Sequence, residues 1–487
     1  MSQEVRNLEP KSLWNAFANL NEIPRPSKKE ERVIEFAKSF GESLGLPTVV
    51  DHVGNVIIKK PASPGMENRQ TVVMQSHLDM VCQKNNDTEF DFDTEGIRML
   101  IKEDWVHADG TTLGADNGIG VAAIMAVLES TDIAHPPIEA LFTIDEETGM
   151  TGAMGLQGGM LDATIMLNLD TEDDDELTIG CAGGTDVTAR GTYNLENAPD
   201  NSVAYTLTVK GLTGGHSGMD IILGRGNANK IMNRLMFKGY ENFGMQINRI
   251  DGGGLRNAIP RESVATIVVP ELSNDNFEAH IAALTDKLIA EHSTTDPELE
   301  IVLERTDMPT QVMDEENQDA LIGSIYGTPN GIYRMSPDVE GLVQTSNNVA
   351  RVLVEDGQYE VLCLSRSAVD SEKDDIAQSI QSVFENIGAT VTFSGSYPGW
   401  TPKPGSDIVK VMSSLYREMF DGEPHVMACH AGLECGILGT NYPGMDMISF
   451  GPNIRGAHSP DEKVQISSVQ KFWGYLLETL QRIPEAV

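Results

Sequence analysis

The apolar positions of the chain open with two amphipathic patterns. Leu13, Trp14, Phe17 and Leu20 recur at helical spacing behind Pro10, which can start a helix, and Pro24 and Pro26 end it. Ser27-Lys-Lys-Glu30 has the form of a capping box. Val33, Ile34, Phe36 and Ala37 then make an apolar face, and Gly45 is placed to stop this second helix. Short apolar runs follow, separated by helical stretches. Residues 71–75, 138–144 and 164–169 read as strands, and 118–128 reads as a buried helix. After Pro398 the pattern returns with a helix at 408–420, a strand at 446–450 and an amphipathic helix at 467–482. Strands alternating with helices predict an α/β fold with a largely parallel sheet flanked by helices.

The middle of the chain reads differently. Residues 264–269, 276–290 and 299–303 run strand, helix, strand, and residues 359–364, 374–385 and 389–393 repeat that order. The repeat predicts a duplicated α+β module inserted into the first domain. The expected division is 1–185 with 399–487 for the α/β domain and 186–398 for the insertion. The length of 487 residues supports two domains, because it exceeds what one hydrophobic core organises.

Composition narrows the partners. Lys and Arg total 35 against 73 Asp and Glu, a formal charge of −38. Such a surface repels phosphate backbones and anionic membranes, so neither nucleic acid nor a membrane is an expected partner. The five cysteines are odd in number and form no C-x-x-C pair, which fits a reducing cytosol better than a disulfide framework. The first ten residues lack the apolar core of a signal peptide, and no apolar run is long enough to span a bilayer. A cytoplasmic location is the expectation.

The candidate chemistry lies just after predicted strands. The clusters are Met74-Gln-Ser-His77-Leu-Asp79, Leu113-Gly-Ala-Asp116-Asn-Gly118, Ile144-Asp145-Glu146-Glu147-Thr-Gly149 and Asn168-Leu-Asp170-Thr-Glu172, with His458 following the strand at 446–450. In open parallel sheets, sites form at the carboxyl ends of strands. Imidazole and carboxylate suit zinc and similar divalent ions, and a carboxylate shared by two ions holds them roughly 3.5–4 Å apart. Four carboxylates buried without cations are prohibitively costly. Taken singly, each cluster has a bland reading: His-x-Asp pairs are common, Glu146-Glu147 is ordinarily a solvated pair, and Asp170 opens an acidic turn. Their joint placement at strand ends carries the argument. Asp79, two residues beyond His77 on an extended chain, points the same way and can fix its tautomer. A base beside an activated water, as hydrolysis near neutral pH requires, is the independent reading of Glu146.

These motifs, with Gly214-Gly-His216-Ser-Gly218 and His458-Ser-Pro460, resemble the M20 metallopeptidase family over nearly the whole chain and in the family's order. The resemblance implies that the inserted module is a lid on a catalytic domain. It implies that Asp116 bridges two divalent ions, zinc with Co or Mn as substitutes, and that the Asp116–Asn117 peptide is cis. His77 and Asp170 complete one ion's ligands, and Glu147 and His458 the other's. Glu146 is the implied general base, Asp79 the orienter of His77, and His216 the stabiliser of the developing oxyanion. Asn257 and Arg366 are candidates for a substrate carboxylate, and Glu434 for a free amine; the bland reading of Arg366 is a surface ion pair. The implied activity is hydrolysis of dipeptides with a free amino terminus, Xaa-His such as β-alanyl-histidine among them, by a homodimer formed through the lid. Tripeptidase, carboxypeptidase and N-acyl-amino-acid deacylase activities of the same family are alternatives. So, in another class, is a metal-stabilised binding protein, against which Glu146 argues.

Other motifs fail. Gly114-x-x-x-Gly118-x-Gly120 lacks phosphate-loop spacing and carries Asp116, and no P-loop or nucleophile elbow exists. His430 and Glu434 stand four apart, but His-Glu-x-x-His is absent. Cys82 and the abundant methionines read as packing.

Overall fold

A computed structural model describes residues 2–486. It contains two compact units. One consists of the chain up to Gly180, Pro402–Ala428 and everything from Leu433 onward; the other consists of Cys181–Thr401 and Cys429–Gly432.

The first unit is built on an eight-stranded sheet. Its order is Thr48–Val50, Val56–Lys60, Ile138–Thr143, Val72–His77, Ile165–Asn168, Asp446–Ser449, Glu176–Cys181 and His425–Cys429. The central strands Ile138–Thr143, Val72–His77, Ile165–Asn168 and Asp446–Ser449 pair in parallel. Pairing becomes antiparallel outside them, as at Val56–Lys60 and Glu176–Cys181. Both faces of Val72–His77 are buried: its first half, Val72-Val-Met74, is apolar without alternation, and the polar Gln75, Ser76 and His77 follow at the carboxyl end. Helix Ala115–Glu129 is buried on almost every side, packed against helix Lys11–Leu20 and strand Val72–His77. A helix without a polar stripe has to be interior. Trp14, Phe17 and Leu20 are fully buried, each contributing about 1.5–3 kcal/mol by leaving water. Because the central strands run the same way, their carboxyl ends emerge along one edge, and His77, the Asp145–Glu147 turn and Asp170 emerge with them; Asp116 follows no strand of this sheet and comes instead from the start of helix Ala115–Glu129. Among the described residues, no helix is long and apolar enough to cross a membrane.

The second unit has a nine-stranded sheet: two matching halves of four strands, and Gly331–Met335, which pairs antiparallel with Val343–Glu355 off the main order. In the first half the order is Glu300–Arg305, Ser202–Lys210, Ser263–Pro270, Gln246–Gly253, with helices Ala228–Phe243 and Asn274–His292. The second half mirrors it as Val343–Glu355, Gln358–Ser367, Gly183–Thr192, Thr390–Tyr397, with helices Glu315–Gly327 and Asp370–Glu385. Antiparallel pairing of Ile250 with Val354 and Gly253 with Arg351 joins the halves. The strand-helix-strand blocks are therefore split. Ser202–Lys210 lies between Ser263–Pro270 and Glu300–Arg305, antiparallel to both, and Gly183–Thr192 does the same in the other half. The inserted strand comes from far upstream, so no local pattern reveals it. Gly183–Thr192 precedes the first half in sequence yet belongs to the second.

One local expectation fails. The second helix begins at Glu31, and neither Ser27 nor Glu30 caps it by side chain. The Ser27 hydroxyl instead donates to Asp79 Oδ2 at 2.7 Å, and Glu30 Oε1 accepts from the Asp145 amide at 3.1 Å. Tertiary partners at the candidate site displaced the local cap.

Candidate active site

The carboxyl end of strand Val72–His77 and the start of helix Ala115–Glu129 bring His77 and Asp116 together. His77 Nε2 lies 3.2 Å from Asp116 Oδ1 and 3.6 Å from Asp170 Oδ1. His458 Nε2 lies 3.2 Å from Asp116 Oδ2 and 3.1 Å from Glu147 Oε2. Asp116 thus turns one oxygen to His77 and Asp170 and the other to Glu147 and His458. His77, Asp116 and Asp170 offer atoms all within 4.8 Å of one another, and so do Asp116, Glu147 and His458. The Asp116–Asn117 peptide is cis.

The ring of His77 is oriented for such a role. Its Nδ1 sits 3.2 Å from the Asp79 carbonyl and 3.4 Å from Asp79 Oδ1, which leaves Nε2 facing the carboxylates. Asp79 does more than the sequence indicated. It also accepts the amides of Glu146 at 3.0 Å and Glu147 at 3.2 Å, so one buried carboxylate aligns His77 and the Glu146–Glu147 turn together.

The electrostatics are those of a site short of positive charge. Burial raises the Glu146 carboxyl well above its ordinary value, and Asp170, Glu434 and Glu147 add to the effect. Burial pushes Asp170 up to about 6, with Asp116 and Glu147 contributing. Hydrogen bonds to Asp116 and Glu147 carry His458 up to about 11. Burial alone would lower His77, but Asp170, Asp116 and Asp79 outweigh it and hold the imidazole well above its usual range. Glu147 Oε1 and Asp170 Oδ1 are buried and accept no hydrogen bond. Orphaned carboxylate oxygens among imidazoles at this spacing fit divalent cations of the zinc type.

Glu434 opens helix Glu434–Asn441 and is 1% exposed. Its Oε2 accepts from Gln75 Nε2 and Thr143 Oγ1, both at 2.6 Å, while Oε1 is buried without a partner. Burial raises it to about 8.

The second unit gathers its own candidates. The loop Gly214–Gly218 is tied to the 257–259 segment by Ser217 N on Asn257 O at 2.8 Å and Ile259 N on Gly215 O at 2.9 Å. His216 Nδ1 accepts from the amides of Gly218 at 3.1 Å and Met219 at 3.0 Å. An accepting Nδ1 places the proton on Nε2, and burial and Arg366 lower the imidazole's pKa, so His216 is a neutral Nε2–H donor. Arg366 is no surface ion pair: it is 5% exposed, donates to Tyr397 Oη at 2.8 Å and keeps a buried Nε unpartnered. A side chain at Gly218 would meet His216 Cε1 at 3.0 Å and Arg366 Nε at 3.2 Å, so the glycine admits both groups to one place. His430 joins them, its Nε2 2.7 Å from Ser346 Oγ. Nothing in the residues around His430 signals this placement, since the zinc-helix motif is absent. The Asn257 side chain is exposed.

Comparison with known proteins identifies the family. The profile of peptidase family M20/M25/M40 matches residues 73–482. A relative described as cytosol non-specific dipeptidase from Escherichia coli (strain K12) is 42% identical over 481 residues, 99% of each chain. The crystal structure of aminoacylhistidine dipeptidase from Vibrio alginolyticus superposes with a TM-score of 0.95 at 43% identity, covering all of both chains. A tripeptidase from Staphylococcus aureus shares the fold at a TM-score of 0.56 and 16% identity, over 98% of this chain and 99% of its own. Matched by the family profile over residues 73–482 and by a relative 42% identical across 99% of each chain, the chain belongs to peptidase family M20/M25/M40.

Proposed function

We propose that this peptide-bond hydrolase cleaves dipeptides with a free amino terminus, Xaa-His such as β-alanyl-histidine among them, at a pair of zinc ions. The observation that carries the reading is Asp116, whose two oxygens face two separate ligand sets. In this reading His77, Asp116 and Asp170 hold one ion, and Asp116, Glu147 and His458 the other. Such ions, when bound, polarise the scissile carbonyl and acidify the attacking water. Glu146 takes the proton of that water and returns it to the leaving amine. His216 donates its Nε2–H to the oxyanion. Glu434 receives the substrate amine on its unpartnered oxygen, and Arg366 with Asn257 receives the carboxylate. The first unit is the catalytic domain and the second the lid, through which two chains pair as a homodimer. The names of both dipeptidase relatives support the substrate class, and the Escherichia coli relative's name supports a cytoplasmic setting.

Metal analysis paired with a substrate panel tests this. Two ions per chain are expected, with activity lost on thorough chelation and restored by zinc, cobalt or manganese. Free dipeptides should be cleaved and their N-acetylated analogues spared. Undiminished cleavage after chelation, or a preference for N-acyl amino acids, would overturn the reading.

Arg366→Lys separates binding from chemistry. A lysine keeps the charge and loses the fork. KM for a dipeptide is expected to rise about 10- to 100-fold with little change in kcat, the loss of a charged hydrogen bond. Steady-state kinetics on a dipeptide amide, which lacks the carboxylate, should show no such rise.

A further inference from the structure

Two buried charged residues outside the proposed ligand set meet on the segment that carries Asp116. Glu462, 2% exposed, accepts four consecutive amides: Leu113 N at 2.7 Å and Gly114 N at 2.9 Å on Oε2, Ala115 N at 2.7 Å and Asp116 N at 3.2 Å on Oε1. Arg25, 1% exposed, donates to the Gly114 carbonyl at 2.6 Å from one terminal nitrogen, which also reaches Asn21 Oδ1 at 3.2 Å. Its other terminal nitrogen donates to the carbonyls of Leu78 and Asp79, each at 3.0 Å.

The geometry points to a clamp: we propose that Arg25 and Glu462 are positioning residues that set the spacing of the metal-ligating loops before any ion binds. Arg25 bolts the Asp116 segment to the turn that follows His77. Glu462 bolts the same segment to the loop of His458, four residues upstream of it. Three of the five proposed ligands are thereby referenced to Gly114. That residue is left-handed, at φ 68°, and any side chain there would strike the Arg25 guanidinium. The hydrogen bonds of both residues go to backbone and to Asn21, not to the proposed ligand side chains. The arrangement answers a physical need, since Asp116, Glu147 and Asp170 repel one another in the absence of cations and would otherwise spread. Glu462 holds its segment through backbone amides and Arg25 through backbone carbonyls, groups that do not titrate.

The inference rests on the ligand assignment proposed above, and its test separates the two. Glu462→Gln keeps the shape but turns a donor towards two of the four amides. Arg25→Lys keeps the charge but cannot span both loops. Wild type and variants are compared in metal-free form by circular dichroism and thermal midpoint, and then by zinc affinity in competition with a chromogenic chelator. Each variant is expected to fold and to bind zinc about 10- to 100-fold more weakly, as loss of groups that orient ligands does. The double variant should lose less than the product of the two, because both act on one segment. A wild type that does not bind two ions sinks the ligand assignment. A wild type that does, with variants matching its affinity, sinks the clamp, as does a lowered metal-free midpoint with unchanged affinity. Should Glu462→Gln fail to fold, Asn21→Ala, which removes one anchor of the guanidinium, carries the test with a loss of a few-fold expected and unchanged affinity as the contrary result.

Discussion

Replacing Glu146 by alanine is expected to lower kcat by about 10²- to 10⁴-fold while leaving two ions per chain in place. The argument is geometric. Asp116, not Glu146, lies in both ligand sets, whereas Glu146 groups with His77 and Glu147. Its position is not left to chance. Asp145 turns the chain at φ 54°, its amide is held by Glu30, and the next two amides are held by Asp79. A carboxylate fixed by its backbone in this way needs no ion to place it, so its removal should spare the ions. The Glu146→Gln variant is the sharper control, because it keeps the volume and removes only the capacity to accept a proton. Metal content by elemental analysis and single-turnover rates on a dipeptide decide the matter. An alanine variant with wild-type turnover would remove Glu146 from the mechanism. One that loses metal would make it a ligand rather than a base.

What could be read in the residues alone was whatever depends on neighbours in sequence. The buried helix Ala115–Glu129 is legible as a run with no polar face over 118–128, and strand Val72–His77 as the short apolar run Val72-Val-Met74. The clusters at His77, Glu147 and Asp170 are legible because strand ends of a parallel sheet gather whatever follows them, whereas Asp116 comes from the start of helix Ala115–Glu129. Patterns failed where a distant partner decided. Ser27 and Glu30 spelled a capping box, but Asp79 and the Asp145 amide claimed them. Arg25 meets its Gly114 partner 89 residues away and Glu462 meets Ala115 across 347, so nothing local marks either one. The proton on His216 Nε2 follows from two amides curling onto Nδ1, a loop shape that Gly-Gly-His-Ser-Gly does not disclose. Tyr397 and His430 entered the Arg366 neighbourhood for the same reason.

The largest effect is expected from Asp116→Ala. Without that side chain the remaining ligands divide into two pairs, His77 with Asp170 and Glu147 with His458, and two protein donors hold a zinc-type ion poorly where three or four are the rule. Bound metal should fall from two ions per chain to none at micromolar zinc, and kcat/KM by about 10³- to 10⁴-fold or more, since the several kcal/mol of charge stabilisation that the ions supply goes with them. Asp170→Ala and His458→Ala make the contrast. Each removes a ligand from one set only, so each should keep about one ion per chain. The three stoichiometries, none, one and one, form a pattern that a shared carboxylate produces and two independent sites do not. An Asp116→Ala protein that retains one ion would assign Asp116 to a single metal and break the pairing on which the proposed chemistry depends.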